Sequence, residues 1–466
     1  MTATRAALVR ADRDHLIHPL HHPIDNGDPI VYVRGRGAIV EDIDGRQYID
    51  GLSGLWNVNA GHGRSELAAA AAAQMTELAY CSGFVGSTNV PSIELAERLL
   101  ALTGGAMAAV FFTSGGAEAN ESAFKTARFY WKARGRPGKV KIVARDQAYH
   151  GLTLQTMSAT AMSPAYWKMF EPRVPGFVHV PTCYPYRYRG TNPGETVGQA
   201  AARELEETIL REGADTVAAF VGEPIHGAGG VFYPADDYWP LVRDICTRHD
   251  VLLIDDEIIT GFGRTGRWFG LPHWNVTPDI LSFAKGVTSG YLPLGGIMVT
   301  RAIKEAMDAV APEDRWMHAY TNSGHPACCA VALKNIEIIE RERLCERAAE
   351  MGRHLLAGLD AAFGALPNVG DIRGGLGLLA AVEFVEDRAT KQNFAPELKF
   401  AALLKAEMIR RGVITRTRAA AGPDPAPGDI LFFAPPLVTT EEEIDRLVRV
   451  ARDAVDAVDA VVGARC

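Results

Sequence analysis

The sequence predicts an α/β fold built on a mostly parallel sheet, and one long region supports this class. From about residue 92 onward, stretches with helical periodicity alternate with apolar runs of four or five residues. Such runs between helices are typical of strands buried on both faces of a parallel sheet. The predicted strands are 109–112, 141–144, 217–221, 251–254 and 280–284, and the predicted helices are 92–102, 117–134, 196–212 and 238–249. Ligands of such sheets gather at the carboxyl ends of the strands.

The flanking segments predict further elements. Residues 31–50 alternate apolar and polar around a DG turn at Gly45, which indicates a β-hairpin, and residues 65–78 predict a helix. After about residue 311 the pattern predicts a second α+β unit: a helix at 326–359, a Gly-rich segment, a helix at 398–411 and an amphipathic helix from residue 441. Residues 419–429 hold three prolines and two glycines and predict a surface loop. The predicted division is 1–64, 65–314 and 315–466.

The composition excludes several classes of protein. With 47% apolar and 22% charged residues, the 466-residue chain is unlike a disordered one. Its formal net charge of −8 argues against binding to nucleic acid or to an anionic membrane. Seven cysteines without a CxxC pair favour a reducing compartment, so we expect a cytoplasmic protein. No signal-peptide core or membrane-spanning run is predicted, and the histidines at 15–23 have no metal-ligand spacing.

Lys285 is the first candidate functional residue. In FAKGVTSGYLPLGG, residues 283–296, it follows an apolar strand and precedes a Gly-rich loop. A lysine at the mouth of a buried site has a lowered pKa and can form a Schiff base with a carbonyl. From this segment alone, an exposed lysine that ends a strand is the alternative interpretation.

Three consecutive carboxylates end the strand in VLLIDDEIITGFGRTG, residues 251–266. Adjacent buried acids are costly unless a cation faces one of them. Gly261, Gly263 and Gly266 also have GxGxxG spacing, which leaves an NAD(P)-dependent oxidoreductase as an alternative. The acids precede these glycines and would repel a pyrophosphate, so the glycine spacing gives the oxidoreductase alternative little support.

Two segments could hold the rest of a ligand. In VFFTSGGAEANESAFKTA, residues 110–127, a strand ends and a small-residue turn enters a helix, whose first N–H groups can bind a phosphate. In DQAYHGLT, Tyr149 and His150 precede a glycine, so a flat side chain could cover a planar ligand. Alone, an ordinary βα turn explains the first segment equally well, and core aromatic residues are the favoured interpretation of the second.

Together the segments fit a single ligand. A helix start for a phosphate, a carboxylate for a ring nitrogen and a lysine for an aldehyde are the features of a pyridoxal phosphate site. Asp256 and Lys285 lie one strand–helix step apart, so both can reach the same sheet edge.

Over nearly its whole length the sequence resembles the class III (ω-) aminotransferases of PLP fold type I. The resemblance rests on DGLSGLWNVNAGHG, TSGGAEANESA, YHG, GEPI, LIDDEIITGFGRTG, FAKGVTSGYLPLG, YTNSGHP and FFAPPL. Within the family it is most similar to amine:pyruvate and ω-amino acid:pyruvate enzymes, on account of Trp56 in GLWNVN and Arg416 in GVITR. The resemblance implies a large domain with a mostly parallel sheet and a smaller α+β domain formed from both termini.

The resemblance assigns catalytic roles to two residues. Lys285 is similar to the Schiff-base lysine, which also moves a proton between the substrate α-carbon and C4′ of the cofactor. Asp256 is similar to the pyridinium partner. Tyr149 resembles the residue on one face of the ring, with His150 next to it, and Ile258 resembles the apolar residue on the other face.

The phosphate site departs from the family pattern. Gly115, Gly116 and Ala117 match the phosphate cup, but the family often has SGSEA where this chain has GGAEA, so Ala117 offers only its backbone N–H. Phosphate binding is therefore expected to depend on backbone amides and on Tyr320 and Thr321. In the family, the last two residues reach the phosphate from the neighbouring subunit, which implies a homodimer or a dimer of dimers with shared active sites.

The resemblance also implies the substrate site. Glu223 is similar to the GEP carboxylate near the cofactor, and Arg416 to the mobile arginine that pairs with a substrate carboxylate. Trp56, Phe84 and Tyr149 are the other expected substrate contacts, although Trp56 could be plain core. The predicted activity is ping-pong transfer of an amino group from a primary amine or ω-amino acid to a 2-oxo acid, pyruvate first. A decarboxylating enzyme or an aminomutase of the same fold type is the alternative.

Overall fold

Strands and helices alternate along most of the chain in the computed structural model, which describes residues 4–24, 28–84, 86–420 and 426–463. The strands are β1 (Tyr32–Arg36), β2 (Ile39–Asp42), β3 (Gln47–Asp50), β4 (Ala109–Thr113), β5 (Lys141–Arg145), β6 (Phe177–Val180), β7 (Val217–Gly222), β8 (Leu252–Asp256), β9 (Ile280–Phe283), β10 (Gly295–Val299), β11 (Val369–Gly375), β12 (Gly377–Phe384), β13 (Val413–Ile414), β14 (Thr417–Arg418) and β15 (Asp429–Phe433). The helices are α1 (Arg5–His15), α2 (Ser53–Trp56), α3 (Ser65–Glu77), α4 (Val90–Leu102), α5 (Gly116–Ala133), α6 (Leu154–Ala159), α7 (Val197–Glu212), α8 (Tyr238–Arg248), α9 (Arg301–Asp308), α10 (Pro326–Arg341), α11 (Leu344–Phe363), α12 (Phe400–Arg410) and α13 (Glu441–Gly463).

The central sheet has the strand order β4-β10-β9-β8-β7-β5-β6. Strand β10 runs antiparallel to both of its neighbours, and the other adjacent pairs are parallel. Strands β7, β8 and β9 are buried along their whole length, as their unbroken apolar runs predict. The predicted α/β class with a mostly parallel sheet is confirmed, and β8 lies beside β9 at its middle.

Two strands of this sheet are missing from the sequence prediction. Strand β6 is a short edge strand, and β10 starts in the segment that was predicted to be a Gly-rich loop. The glycines of β10 are explained by close approach of β4. A Cβ on Gly295 would lie 2.8 Å from the carbonyl oxygen of Gly115, and one on Gly296 would lie 2.5 Å from that of Phe111.

The single helix predicted at 326–359 is wrong, because the chain forms α10 and α11 with a break between them. Arg343 has left-handed backbone at the break, with φ +52°. The preceding Glu342 pairs with Arg64, whose guanidinium donates to both carboxylate oxygens at 2.8 and 2.6 Å. This contact from a distant segment fixes the chain where local periodicity favours a continuous helix.

Segments near both termini share an outer sheet. The predicted hairpin is confirmed as β2 and β3, with Gly45 in the turn at φ +80°, and β13 adds in parallel to β3. A third sheet has the order β11-β12-β15-β14. This arrangement agrees with a smaller α+β domain from both termini, while the boundaries at residues 64 and 314 remain a prediction.

The described ranges contain neither a candidate membrane span nor a candidate metal cluster. No helix there combines the length and apolarity needed to cross a bilayer. In the same ranges, no group of three or more His, Cys, Asp or Glu side chains has an arrangement that could hold a metal ion. Of the histidines at 15–23, His18 instead bonds Asp12 through Nε2 at 3.0 Å.

Candidate active site

Lys285 and Asp256 lie at the same edge of the central sheet. Asp256 ends β8, and Lys285 follows the end of the adjacent parallel strand β9, where Ser282 is the partner of Asp256 in the register. Burial lowers the pKa of Lys285 to about 8, against the opposing effect of the Asp256 and Glu223 carboxylates. The lysine has left-handed backbone, with φ +46°, at the turn that leaves the strand. A partly deprotonated amine at this edge suits attack on a carbonyl.

Three donors hold the Asp256 carboxylate. His150 Nδ1 and Asn120 Nδ2 each lie 2.7 Å from Oδ2, and the backbone N–H of Ile258 donates to Oδ1 at 3.1 Å. His150 is fully buried, and its own N–H donates to Thr160 Oγ1. The structure therefore places His150 against the carboxylate.

The other two acids of the DDE run do not belong to this site. Glu257 accepts hydrogen bonds from the backbone N–H groups of Gly270 and Leu271 and from the hydroxyl of Thr260. Burial raises the pKa of Glu257, and these hydrogen bonds oppose the shift. Asp255 is 1% exposed, and burial followed by the neighbouring Glu257 raises its pKa well above the usual range. Because successive side chains alternate across a strand, Asp255 and Asp256 lie on opposite faces of the sheet.

The start of α5 offers free backbone donors beside Asp256. Among the described residues, the N–H groups of Gly116 and Ala117 have no acceptor, as expected for the first turn of a helix. A Cβ on Gly116 would lie 2.8 Å from the Ile258 side chain, and one on Gly151 would lie 2.7 Å from the Ala117 Cβ. The helix start, the turn after His150 and the segment after β8 are therefore in direct contact.

Tyr149 and Glu223 complete this part of the site. Glu223 is buried, and its carboxylate accepts from the backbone N–H groups of Tyr149 at 3.3 Å and Gly227 at 2.8 Å. Burial raises the pKa of Glu223, while the nearby His150 opposes this shift. The Tyr149 ring packs edge-on against Tyr166, with their centres 5.9 Å apart.

Trp56 brings the lysine and the candidate substrate arginine to one aromatic ring. Lys285 Nζ lies 6.0 Å from the centre of the Trp56 ring, and the Arg416 guanidinium carbon lies 5.3 Å from it. Arg416 also lies 5.4 Å from the Phe432 ring and 3.9 Å from Met162 Sδ. Among the described residues, Arg416 forms no ion pair with a carboxylate, so its guanidinium can still bind one.

Phe84, Tyr320 and Thr321 form a separate group. The Tyr80 hydroxyl donates to the carbonyl oxygen of Thr321 at 2.9 Å, so the loops that carry Phe84 and Thr321 are linked. Phe84 is exposed, and Tyr320 packs near the rings of His318 and Phe111. In the described part of the chain, none of the contacts of these three residues is with Lys285 or Asp256.

The predicted loop at 419–429 is only partly described, since residues 421–425 lie outside the described ranges. Before it, Arg418 donates to the carbonyl oxygen of Met162 at 3.0 Å and to Gln147 Oε1 and the Gly229 carbonyl oxygen. Near its end, the Gly428 N–H donates to Glu383 Oε1 at 2.8 Å. The loop is therefore anchored on both sides.

The glycines of the GxGxxG spacing have a packing role. Gly263 and Gly266 have φ of +91° and +85°, and a Cβ on either would lie 2.8 Å from the side chain of Leu437 or Ala349. The segment that follows forms a 3₁₀ turn at Leu271–Trp274, whereas a dinucleotide loop opens an α-helix. The geometry does not support the nicotinamide alternative.

The residues present fit pyridoxal phosphate. The N–H groups of Gly116 and Ala117 can receive a phosphate, the Asp256 carboxylate can face a ring nitrogen, and Lys285 Nζ makes no hydrogen bond within the described residues. Asn120 is a functional candidate that the sequence analysis missed. Its signal was a polar residue on the buried face of α5, among alanines and Phe124.

The comparisons with known proteins agree with this geometry. The family model described as aminotransferase class-III matches residues 23–455. The chain is 40% identical to a diaminobutyrate–2-oxoglutarate transaminase of Halomonas elongata, covering 96% of this chain and 95% of that protein. It is 36% identical to a putrescine–pyruvate aminotransferase of Pseudomonas aeruginosa, covering 94% and 93%.

The fold agrees as well. A thermostable (S)-enantioselective omega-transaminase from Thermomicrobium roseum superposes with a TM-score of 0.92 at 46% identity, covering 98% of this chain and 100% of that one. The family match spans nearly the whole sequence. The chain belongs to the class III aminotransferases, which are PLP-dependent enzymes.

Proposed function

We propose that this aminotransferase takes the amino group of a primary amine or ω-amino acid and passes it to pyruvate in a ping-pong cycle. The observation that carries the proposal is the position of Lys285 and Arg416 at the same Trp56 ring. A reactive amine and a guanidinium that has no carboxylate partner in the described ranges, both at one ring, suit a substrate with a carboxylate beside its reacting carbon.

Lys285 acts as the base and then as the acid. The bound cofactor supplies an electron-withdrawing ring that makes the substrate α-carbon acidic. With a pKa lowered to about 8, Lys285 Nζ can take the proton from that carbon and return it near neutral pH. The Asp256 carboxylate would pair with the ring nitrogen of the bound cofactor and keep it protonated.

Arg416 distinguishes the two halves of the cycle. A 2-oxo acid presents a carboxylate to which a guanidinium can donate two parallel hydrogen bonds, each worth roughly 1.5–3 kcal/mol. An amine donor without a carboxylate makes no such bonds, and Arg416 can then remain against Trp56 and Phe432, as in this structure.

The phosphate is held by Gly115, Gly116 and Ala117, with Tyr320 and Thr321 supplied by a second copy of the chain. In support, the contact that Thr321 makes within the described residues is with Tyr80 and not with Lys285 of its own chain. Two copies then form a homodimer with shared sites. The low cysteine content favours a cytoplasmic location.

A donor and acceptor panel tests the proposal. The holoenzyme should lose its visible cofactor absorbance on addition of a primary amine or ω-amino acid and regain it on addition of pyruvate. Acceptors should include 2-oxoglutarate, which separates a pyruvate enzyme from one that prefers a dicarboxylate. Bleaching without recovery by any 2-oxo acid would contradict amino-group transfer.

A further inference from the structure

Asn120 joins three segments of the site through a single side-chain amide. Its Nδ2 donates to the carbonyl oxygen of His150 at 2.9 Å and to Asp256 Oδ2 at 2.7 Å, and the residue itself is completely buried in the first turns of α5. These segments carry the phosphate donors, the ring-face residue Tyr149 and the carboxylate. Asn120 itself lies on the first segment, and its side chain bonds directly to the other two, at His150 and Asp256.

The two acceptors fix the orientation of the amide. An amide nitrogen has two N–H bonds, and here each has one acceptor, so the nitrogen cannot exchange places with the oxygen without losing both. Asn120 Oδ1 has no partner among the described residues, so no contact favours the reversed orientation. Buried polar groups of this kind specify one arrangement when their donors are satisfied.

The contacts at Asp256 leave its two oxygens unequal. Oδ2 accepts from Asn120 and from His150 Nδ1, whereas within the described ranges Oδ1 accepts only the longer bond from the Ile258 N–H. Oδ1 therefore has the greater remaining capacity to accept a proton donor. Loss of the Asn120 amide would free the carboxylate to rotate and release the His150 backbone at the same time.

We infer that Asn120 is a positioning residue, which holds Asp256 with Oδ1 available to the cofactor ring and fixes the Tyr149–His150 turn at the required distance. This inference rests on the proposed role of Asp256 as partner of the ring nitrogen. It goes beyond that role, because it assigns to Asn120 an effect on the cofactor through its hydrogen bonds to His150 and Asp256.

The isosteric variant Asn120→Asp tests the inference, since it replaces both N–H donors by oxygen. Asn368→Asp is the matched control: Asn368 Nδ2 also donates to a carboxylate, Asp459 Oδ1 at 2.8 Å, and its Oδ1 is also unpartnered. We would measure the dissociation constant of pyridoxal phosphate, the cofactor absorbance as a function of pH, and the melting temperature of each holoenzyme.

Asn120→Asp should weaken cofactor binding roughly 10- to 100-fold and move the pH midpoint of the absorbance, while Asn368→Asp lowers only the melting temperature. Equal absorbance and affinity in the two variants would overturn the inference. If Asn120→Asp does not fold, Asn120→Ala removes the donors without adding charge and is read in the same way.

Asp256→Asn separates failure of the inference from failure of the proposed function. An altered absorbance in Asp256→Asn with an unaltered one in Asn120→Asp would overturn the role of Asn120 alone. An unaltered absorbance in Asp256→Asn would instead remove Asp256 as ring partner, and the inference with it. Altered spectra in both variants support the inference.

Discussion

The guanidinium of Arg416 lies 5.3 Å from the centre of the Trp56 ring and has no carboxylate partner among the described residues. A cation over an indole face is stabilised without an ion pair. Arg416 can therefore stay against Trp56 when the substrate lacks a carboxylate, and its guanidinium can donate two hydrogen bonds when the substrate has one.

Replacement of Arg416 should divide the two half-reactions. Arg416→Leu is expected to lower kcat/KM for pyruvate about 100-fold or more, because two charged hydrogen bonds are lost, and to change that for a simple primary amine little. Half-reaction rates from the cofactor absorbance measure both values. Arg410→Leu is the control, since this exposed arginine pairs with Glu407. Equal losses in both half-reactions would contradict the assignment.

The lowered pKa of Lys285 sets the pH dependence of cofactor attachment. Only the neutral amine attacks the aldehyde, so the rate at which apoenzyme takes up pyridoxal phosphate covalently should rise with pH and level off above about 8. Stopped-flow absorbance from pH 6 to 10 measures this rate. A rate still rising near pH 10 would show an unperturbed lysine.

Replacement by asparagine should affect kcat differently at Asp255 and at Asp256. Burial and the neighbouring Glu257 raise the pKa of Asp255, which favours its neutral form, and its side chain lies on the opposite face of the sheet from Asp256. Asp255→Asn should therefore leave kcat nearly unchanged. Asp256→Asn removes the charge that faces the ring nitrogen and should lower kcat at least about 100-fold. Steady-state assays measure kcat for both variants, and a large loss in Asp255→Asn would contradict the placement of Asp255 outside the site.

The raised pKa of Asp255 also predicts how the stability of the fold changes with pH. An acid whose folded pKa is raised stabilises the fold at low pH, and this stability is lost as pH rises from the unfolded value towards the folded one. The melting temperature of the wild type should therefore fall towards alkaline pH more steeply than that of Asp255→Asn. Scans between pH 5 and 10 would show parallel curves if Asp255 were ionised throughout.

The site residues that could be predicted from the sequence are those that the adjacent residues in the chain mark as lying at a strand end. Lys285 and Asp256 lie at the carboxyl ends of predicted, mainly apolar strands, so their common position at the sheet edge could be predicted. The role of Asn120 could not be predicted, because its two acceptors come from segments about 30 and 136 positions away. The helix break at Arg343 depends in the same way on a contact of Glu342 with Arg64, which no local pattern contains.

If Thr321 completes the active site of the neighbouring subunit, mixed dimers of two inactive variants should recover activity. Lys285→Ala and Thr321→Asp chains, each inactive alone, are mixed after reversible dissociation. About a quarter of wild-type activity should return, since about half of the dimers are mixed and each has one site free of both changes. The control mixes Lys285→Ala with Asp256→Asn, where both changes affect the site of their own chain, and no activity should return. If Thr321 served its own chain, the first mixture would be as inactive as the control.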